Sequence, residues 1–176
     1  MVRGLRRVAL VGLVVFVVIQ LVPYGLRHPN PPVVAEPAWP DARTEELART
    51  ACYDCHSNET DWPLYSYVAP MSWLVRWDVE RGRDELNFSE WDEFSGEAHD
   101  AAELVADGSM PLGRYVLLHR DADLSADEQV ELAAALARLE DATDAAADDS
   151  ADDAEDRRDD ERDDEQDEQE DDSGPG

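Results

Sequence analysis

The sequence Cys52-Tyr53-Asp54-Cys55-His56 decides the predicted fold. It is the C-x-x-C-H pattern of c-type haem attachment. Two thiols at this spacing can add to the two vinyl groups of one porphyrin, and the next residue, His56, then lies beneath the iron as an axial ligand. We therefore predict one haem c, held by thioether bonds to Cys52 and Cys55, with His56 as the proximal ligand.

Other uses of two cysteines at this spacing fit the sequence less well. A thioredoxin-like dithiol needs a βαβ context, and no run of this chain shows strand alternation. A structural zinc site needs a further ligand pair, whereas His99 and His119 are isolated. A lone disulfide is the plainest alternative, although two cysteines cannot form the disulfide framework of a whole domain.

An apolar segment preceded by arginines opens the chain. Arg3, Arg6 and Arg7 precede an uncharged stretch that is about long enough to cross the ~30 Å hydrocarbon layer. We predict that residues 1–27 are a retained single-pass anchor at the cell membrane, with the N-terminus cytoplasmic and the domain outside. A cleaved signal peptide is the alternative. Export favours haem, because c-type haem is attached outside the cytoplasm. The proline-rich residues 28–40 predict a stiff spacer.

The next hundred residues, 41–140, have apolar side chains at helical spacing. Asp41 predicts a helix N-cap just before the cysteines, and Ser125 with Glu128 forms a capping box for a last helix. The predicted fold class is all-α, with one small helical domain around the haem. Residues 141–176 have almost no apolar side chains and predict a disordered acidic tail.

The charge of the chain limits its partners. The formal net charge is −28, and every basic residue except histidine is arginine. Nucleic acid is excluded as a partner, because its phosphates would be repelled. A lysine-free acidic surface favours a halophilic source, where salt screens the self-repulsion. The alternative is a GC-rich genome encoding an ordinary solvated acidic surface.

Met110 is the candidate for the distal ligand of the iron. It lies in a Gly-Ser-Met-Pro loop far downstream of the haem motif, and its rivals are Met71 and His119. The alternative for Met110 is a methionine that fills a gap in the core. Trp62 and Trp73 are candidates for the wall of the haem pocket.

Seven separated motifs, in the right order, resemble those of the bacterial and archaeal haem-binding domain family. The resemblance covers about residues 28–140. The motifs are CYDCHSNET (52–60), WPLYS (62–66), VAP (68–70), SWL (72–74), LNFSEW (86–91), GSMP (108–111) and YVLLH (115–119).

Members of this family are short, membrane-anchored proteins with a single c-type haem motif. The resemblance implies a cytochrome c-like helical fold, with Cys52 and Cys55 as thioether sites and His56 as proximal ligand. Met110 matches the family's Met-Pro, whereas Leu64 stands where the family has a second aromatic residue.

Electron transfer is the leading functional hypothesis. A six-coordinate His/Met iron needs no open position and suits a tethered cytochrome that passes electrons to a redox partner. The alternative is a haem-based sensor or gas-binding module with a weak sixth ligand. We do not expect an enzyme, because the sequence offers no identifiable distal acid–base residue.

Overall fold

The computed structural model describes residues 2–143 and 145. No strand occurs in this part of the chain apart from one isolated parallel bridge between Ala35 and Glu90. The all-α prediction is therefore confirmed for these residues.

Eight α-helices lie within the described residues. They are α1 (Val2–Ile19), α2 (Ala42–Ala51), α3 (Tyr53–His56), α4 (Met71–Glu85), α5 (Trp91–Phe94), α6 (Ala98–Ala106), α7 (Gly113–Val116) and α8 (126–143). Short 3₁₀ turns at Leu64–Tyr67, Ser95–Glu97 and Arg120–Ala122 join some of them.

Two predicted caps fix the helices at either end of the domain. The Asp41 side chain accepts hydrogen bonds from the amides of Arg43 and Thr44, each at 2.9 Å, and so begins α2. The Glu128 carboxylate accepts from the Ser125 amide at 3.0 Å and from its hydroxyl at 2.8 Å, ahead of α8. Both helices therefore begin where the sequence predicts.

The core lies where α2, α6 and α8 meet around a stack of aromatic rings. Phe88 is buried and stacks on Tyr53 at a centroid distance of 5.2 Å and on Trp91 at 6.0 Å. Leu132 and Leu136 from α8 are fully buried in the same cluster. This packing holds the helix before the cysteines against the last helix of the domain.

The prediction of a membrane-spanning helix in residues 1–27 is not supported. Helix α1 ends at Ile19, and all three arginines at its start lie within it, so its uncharged part, residues 8–19, is clearly shorter than the roughly 20 residues of a span. Within residues 2–143 and 145, no helix combines the length and the apolar composition that a membrane crossing needs.

The segment after α1 is tied to the domain. The Gln20 side chain donates to the Ala69 carbonyl at 3.1 Å and accepts from the Ala69 amide at 2.9 Å. Gly25 has φ +82°, and a Cβ there would lie 2.3 Å from the Ser72 carbonyl oxygen. The end of α1 is therefore held beside the start of α4.

The proline-rich stretch, residues 28–40, lies along the domain instead of standing away from it. The amide of Ala35 donates to the Ser89 carbonyl at 3.1 Å, and the ring of Trp39 packs 5.5 Å from that of Phe88. The stiffness of the prolines predicted a spacer that stands clear of the domain, but the large apolar ring of Trp39 packs against the core. Nearly all of the predicted acidic tail lies outside the described residues.

Candidate functional site

The two cysteines are brought together by a change of helix. The amide of Cys52 closes α2 on the Ala48 carbonyl at 2.8 Å, and Cys52 also precedes α3. Its carbonyl accepts from the amides of Cys55 at 3.0 Å and His56 at 2.9 Å. The C-x-x-C-H motif therefore comprises α3 and the residue that precedes it, and both cysteines are free thiols.

Helix α4 approaches the motif unusually closely at Gly82. A Cβ on Gly82 would lie 2.4 Å from the carbonyl oxygen of Cys55 and 3.1 Å from its Cβ. Any side chain at this position would push α4 away from α3. Glycine is therefore required for α4 to form one wall of the site.

One ring nitrogen of His56 contacts a backbone carbonyl. Its Nδ1 lies 3.2 Å from the carbonyl oxygen of Leu86. A carbonyl can only accept, so Nδ1 carries the proton and Nε2 keeps its lone pair. Burial lowers the pKa of His56, which keeps the imidazole neutral as iron coordination requires.

A cavity of about 560 Å³ brings the predicted haem residues together: Cys52, Cys55, His56 and Met110 all line it. Its volume lies within the range of cofactor sites. Most of the further lining residues are apolar or aromatic, among them Trp77, Leu86, Phe88, Leu104, Val105, Leu112 and Leu136. Six charged residues also line it: Asp78, Arg81, Glu85, Glu97, Asp100 and Arg114. The donor set, the size and the apolar walls fit a haem.

Met110 reaches this cavity from a short loop after α6. Gly108, with φ +77°, ends the helix in the left-handed region that glycine adopts readily. The amide of Met110 then donates to the Leu104 carbonyl at 3.0 Å, which folds the loop back on α6. The thioether is thus carried by a loop with fixed backbone contacts.

The rival distal ligands lie elsewhere. Met71 and His119 line a neighbouring cavity of about 250 Å³ and not the larger one. The Nε2 atom of His119 lies 2.7 Å from the hydroxyl of Tyr65, and its ring stacks on Tyr115 at 4.2 Å. The geometry therefore favours Met110 over both rivals.

The two tryptophans predicted for the pocket wall line neither cavity. Trp62 packs against His28 at 4.5 Å and donates from Nε1 to Asn30 at 3.1 Å. Trp73 and Trp77 lie about one turn apart on the same face of α4, and only Trp77 lines the haem-sized cavity. Helical spacing alone does not indicate which turn of α4 faces the cavity.

Both thiols are partly buried in the cavity wall. Burial raises the pKa of Cys52 and of Cys55 to about 12, and the nearby Asp78 carboxylate adds to the shift at Cys55. Each sulfur is therefore protonated at neutral pH. No cluster of three or more His, Cys, Asp or Glu residues suited to a bare metal ion occurs in the described part of the chain.

The helical fold and the haem-sized cavity around the C-x-x-C-H motif define a haem-binding protein. A family model described as haem-binding domain matches residues 14–138. This match covers well over half of the chain, so the chain belongs to the haem-binding domain family. No curated protein and no solved structure was found to match the chain.

Proposed function

We propose that this protein is a monohaem c-type cytochrome that transfers electrons. Cys52 and Cys55 would hold the haem covalently, and His56 and Met110 would supply the two protein ligands of its iron. The observation that carries the proposal is the single cavity lined by all four of these side chains.

The protein residues bind and orient the group. The two cysteines fix the porphyrin at two points on one turn of helix. The Leu86 carbonyl keeps the imidazole of His56 in the tautomer that leaves Nε2 free. When bound, haem supplies an iron that alternates between the ferric and ferrous states. The apolar side chains that line most of the cavity would favour the less charged ferrous form.

Met110 favours electron transfer over gas binding. A thioether supplied by Met110 would leave no open iron site for a diatomic ligand, which would suit electron transfer. A sensor would instead need a sixth position that opens easily. Carbon monoxide therefore separates these two functions.

We also propose that the haem domain works outside the cytoplasm, at a membrane surface. Covalent haem attachment occurs in that compartment. The apolar side chains of α1 are exposed along the helix. Exposed apolar patches are typical of a membrane or protein contact. Cell fractionation tests the membrane location: recovery of the full-length chain only in the soluble fraction would contradict it.

Acid–acetone extraction tests covalent attachment. Wild-type protein should keep its haem in the precipitated polypeptide, whereas the double variant Cys52→Ala/Cys55→Ala should release any haem it binds. Cys52→Ala and Cys55→Ala alone should each keep at most one thioether bond, visible as a shifted reduced absorption band. Complete release of haem from the wild type would refute the c-type assignment.

Carbon monoxide tests the function. The reduced wild-type protein should bind it poorly if the sixth position is closed. Binding at full stoichiometry would favour the sensor hypothesis over electron transfer.

A further inference from the structure

Helix α7 begins immediately after the loop that carries Met110. We call residues 107–112 the distal loop. The carbonyl of Leu112, its last residue, accepts from the amides of Tyr115 at 2.8 Å and Val116 at 3.1 Å. The last residue of the distal loop is therefore hydrogen-bonded into the single turn of α7.

Tyr115 joins α7 to the haem-attachment motif. Its hydroxyl donates to Oδ2 of Asp54 at 2.8 Å, and Asp54 lies between the two cysteines. Burial, followed by the Asp54 carboxylate, raises the pKa of Tyr115, so the phenol stays a donor. The ring is supported on one face by His119, whose ring stacks on it at 4.2 Å.

Arg114 joins α7 to the other wall of the site. Its Nη2 lies 2.6 Å from Oδ1 of Asp78, and its Nε lies 3.3 Å from Oδ2, so the pair is bidentate. The Asp78 side chain on α4 is only 17% exposed. Helix α4 itself lies against Cys55 at Gly82.

Two adjacent residues of α7 thus contact α3, which contains most of the haem motif, and α4, which packs against it. We infer that Arg114 and Tyr115 are positioning residues, which hold the distal loop so that Met110 stays over the iron. The inference rests on the proposed ligation of the iron by Met110. Neither side chain needs to touch the iron, because each acts through the backbone between α7 and Met110.

The test is the variant Tyr115→Phe in the haem-loaded full chain. The ring keeps its stacking partner, but the hydrogen bond to Asp54 is lost. The far-red thioether–iron band of the oxidised protein should weaken. Carbon monoxide should bind the reduced variant roughly tenfold faster or more, the factor expected for losing one charge-assisted hydrogen bond. Amide hydrogen exchange at Tyr115 and Val116 should also accelerate.

Arg114→Gln should act in the same direction, because it removes the second contact of α7. Arg76→Gln is the matched control: Arg76 lies on α4 but lines neither cavity, and its partner Glu80, at 2.7 Å, lies on the same helix. That variant should keep the wild-type band and carbon monoxide rate. In the double variant Asp54→Asn/Tyr115→Phe, the increase in carbon monoxide rate should be smaller than the two single increases combined. Both changes remove the same hydrogen bond.

The outcomes separate this inference from the proposed function. If Met110→Ala opens the iron while Tyr115→Phe and Arg114→Gln both behave as wild type, Met110 ligation stands and the positioning role is refuted. If the wild type already lacks the far-red band, both proposals fail. Should Tyr115→Phe not fold, wild-type behaviour of Arg114→Gln is sufficient to overturn the inference.

Discussion

At the scale of single residues, the site depends on contacts between distant parts of the chain. The carbonyl that orients His56 belongs to Leu86, thirty residues further along. Gly82 lies against the carbonyl of Cys55. These two contacts determine which nitrogen of the histidine is free and how closely α4 covers the motif.

Gly82→Ala adds only one methyl group but should disturb the site strongly. The added methyl group would lie 2.4 Å from the Cys55 carbonyl oxygen, so α4 must move. We expect a loss of roughly 1–3 kcal/mol of stability, as for overpacking of a core, and a shifted haem spectrum. Thermal unfolding and absorption spectra measure both effects.

Gly96→Ala is the control for this prediction, because a Cβ there meets no heavy atom within 4 Å. It should change neither the spectrum nor the melting temperature by much. Equal effects of the two variants would show that the close approach at Gly82 does not matter.

The sequence predicted the cysteines, His56 and Met110 because each is marked by a local pattern. The cavity wall could not be predicted in the same way. Trp73 and Trp77 share one stripe of α4, and only the packing of that helix at Gly82 decides which turn faces the cavity. The Leu86 contact carries no sequence signal, since any residue has a carbonyl.

At the scale of elements, α2 delivers the chain into the haem motif, and its N-cap is an ionised carboxylate. The Thr44 amide lowers the pKa of Asp41 most, and the Arg43 amide lowers it further. The stabilisation by the charged cap is therefore fully present above the ordinary aspartate pKa of about 3.9. It is lost as the pH falls through the lowered value.

Asp41→Asn tests this cap, since asparagine caps a helix about as well but carries no charge. The melting temperature of wild type minus that of the variant should stay constant above about pH 5 and shrink as the pH falls below about 4. Melting curves of both proteins across this range provide the measurement. A difference that is independent of pH would contradict the assignment.

Helices with caps and apolar stripes were predictable, whereas the end of α1 and the contacts of α7 were not. The uncharged stretch at the N-terminus suggested one long span, but the helix includes the arginines and ends at Ile19. Helix α7 is a single turn whose role depends on Asp54 and Asp78, both far from it in sequence. Local periodicity contains no information about such contacts.

At the scale of the whole molecule, the net charge of −28 is the dominant property. One guanidinium pairs with three carboxylates: Arg49 contacts Glu36 at 2.9 Å, Glu45 at 2.8 Å and Glu59 at 3.1 Å. These pairs are exposed and contribute little individually. The remaining carboxylates repel one another, and a halophilic source stays a prediction.

Salt should therefore stabilise the protein. The screening length falls from about 10 Å at 0.1 M salt to about 3 Å at 1 M, which weakens repulsion across the surface more than contacts at ion-pair distance. We expect the melting temperature to rise steadily with sodium chloride. A melting temperature that falls with added salt would show that the ion pairs outweigh the repulsion.

The central claim is that the haem-sized cavity holds an iron between His56 and Met110. The most direct test compares Met110→Ala with Met71→Ala, a methionine that lines only the neighbouring cavity. Absorption spectra of the oxidised proteins should show the far-red thioether–iron band in the wild type and in Met71→Ala, and no band in Met110→Ala. Persistence of the band in Met110→Ala, or its loss in Met71→Ala, would contradict the account.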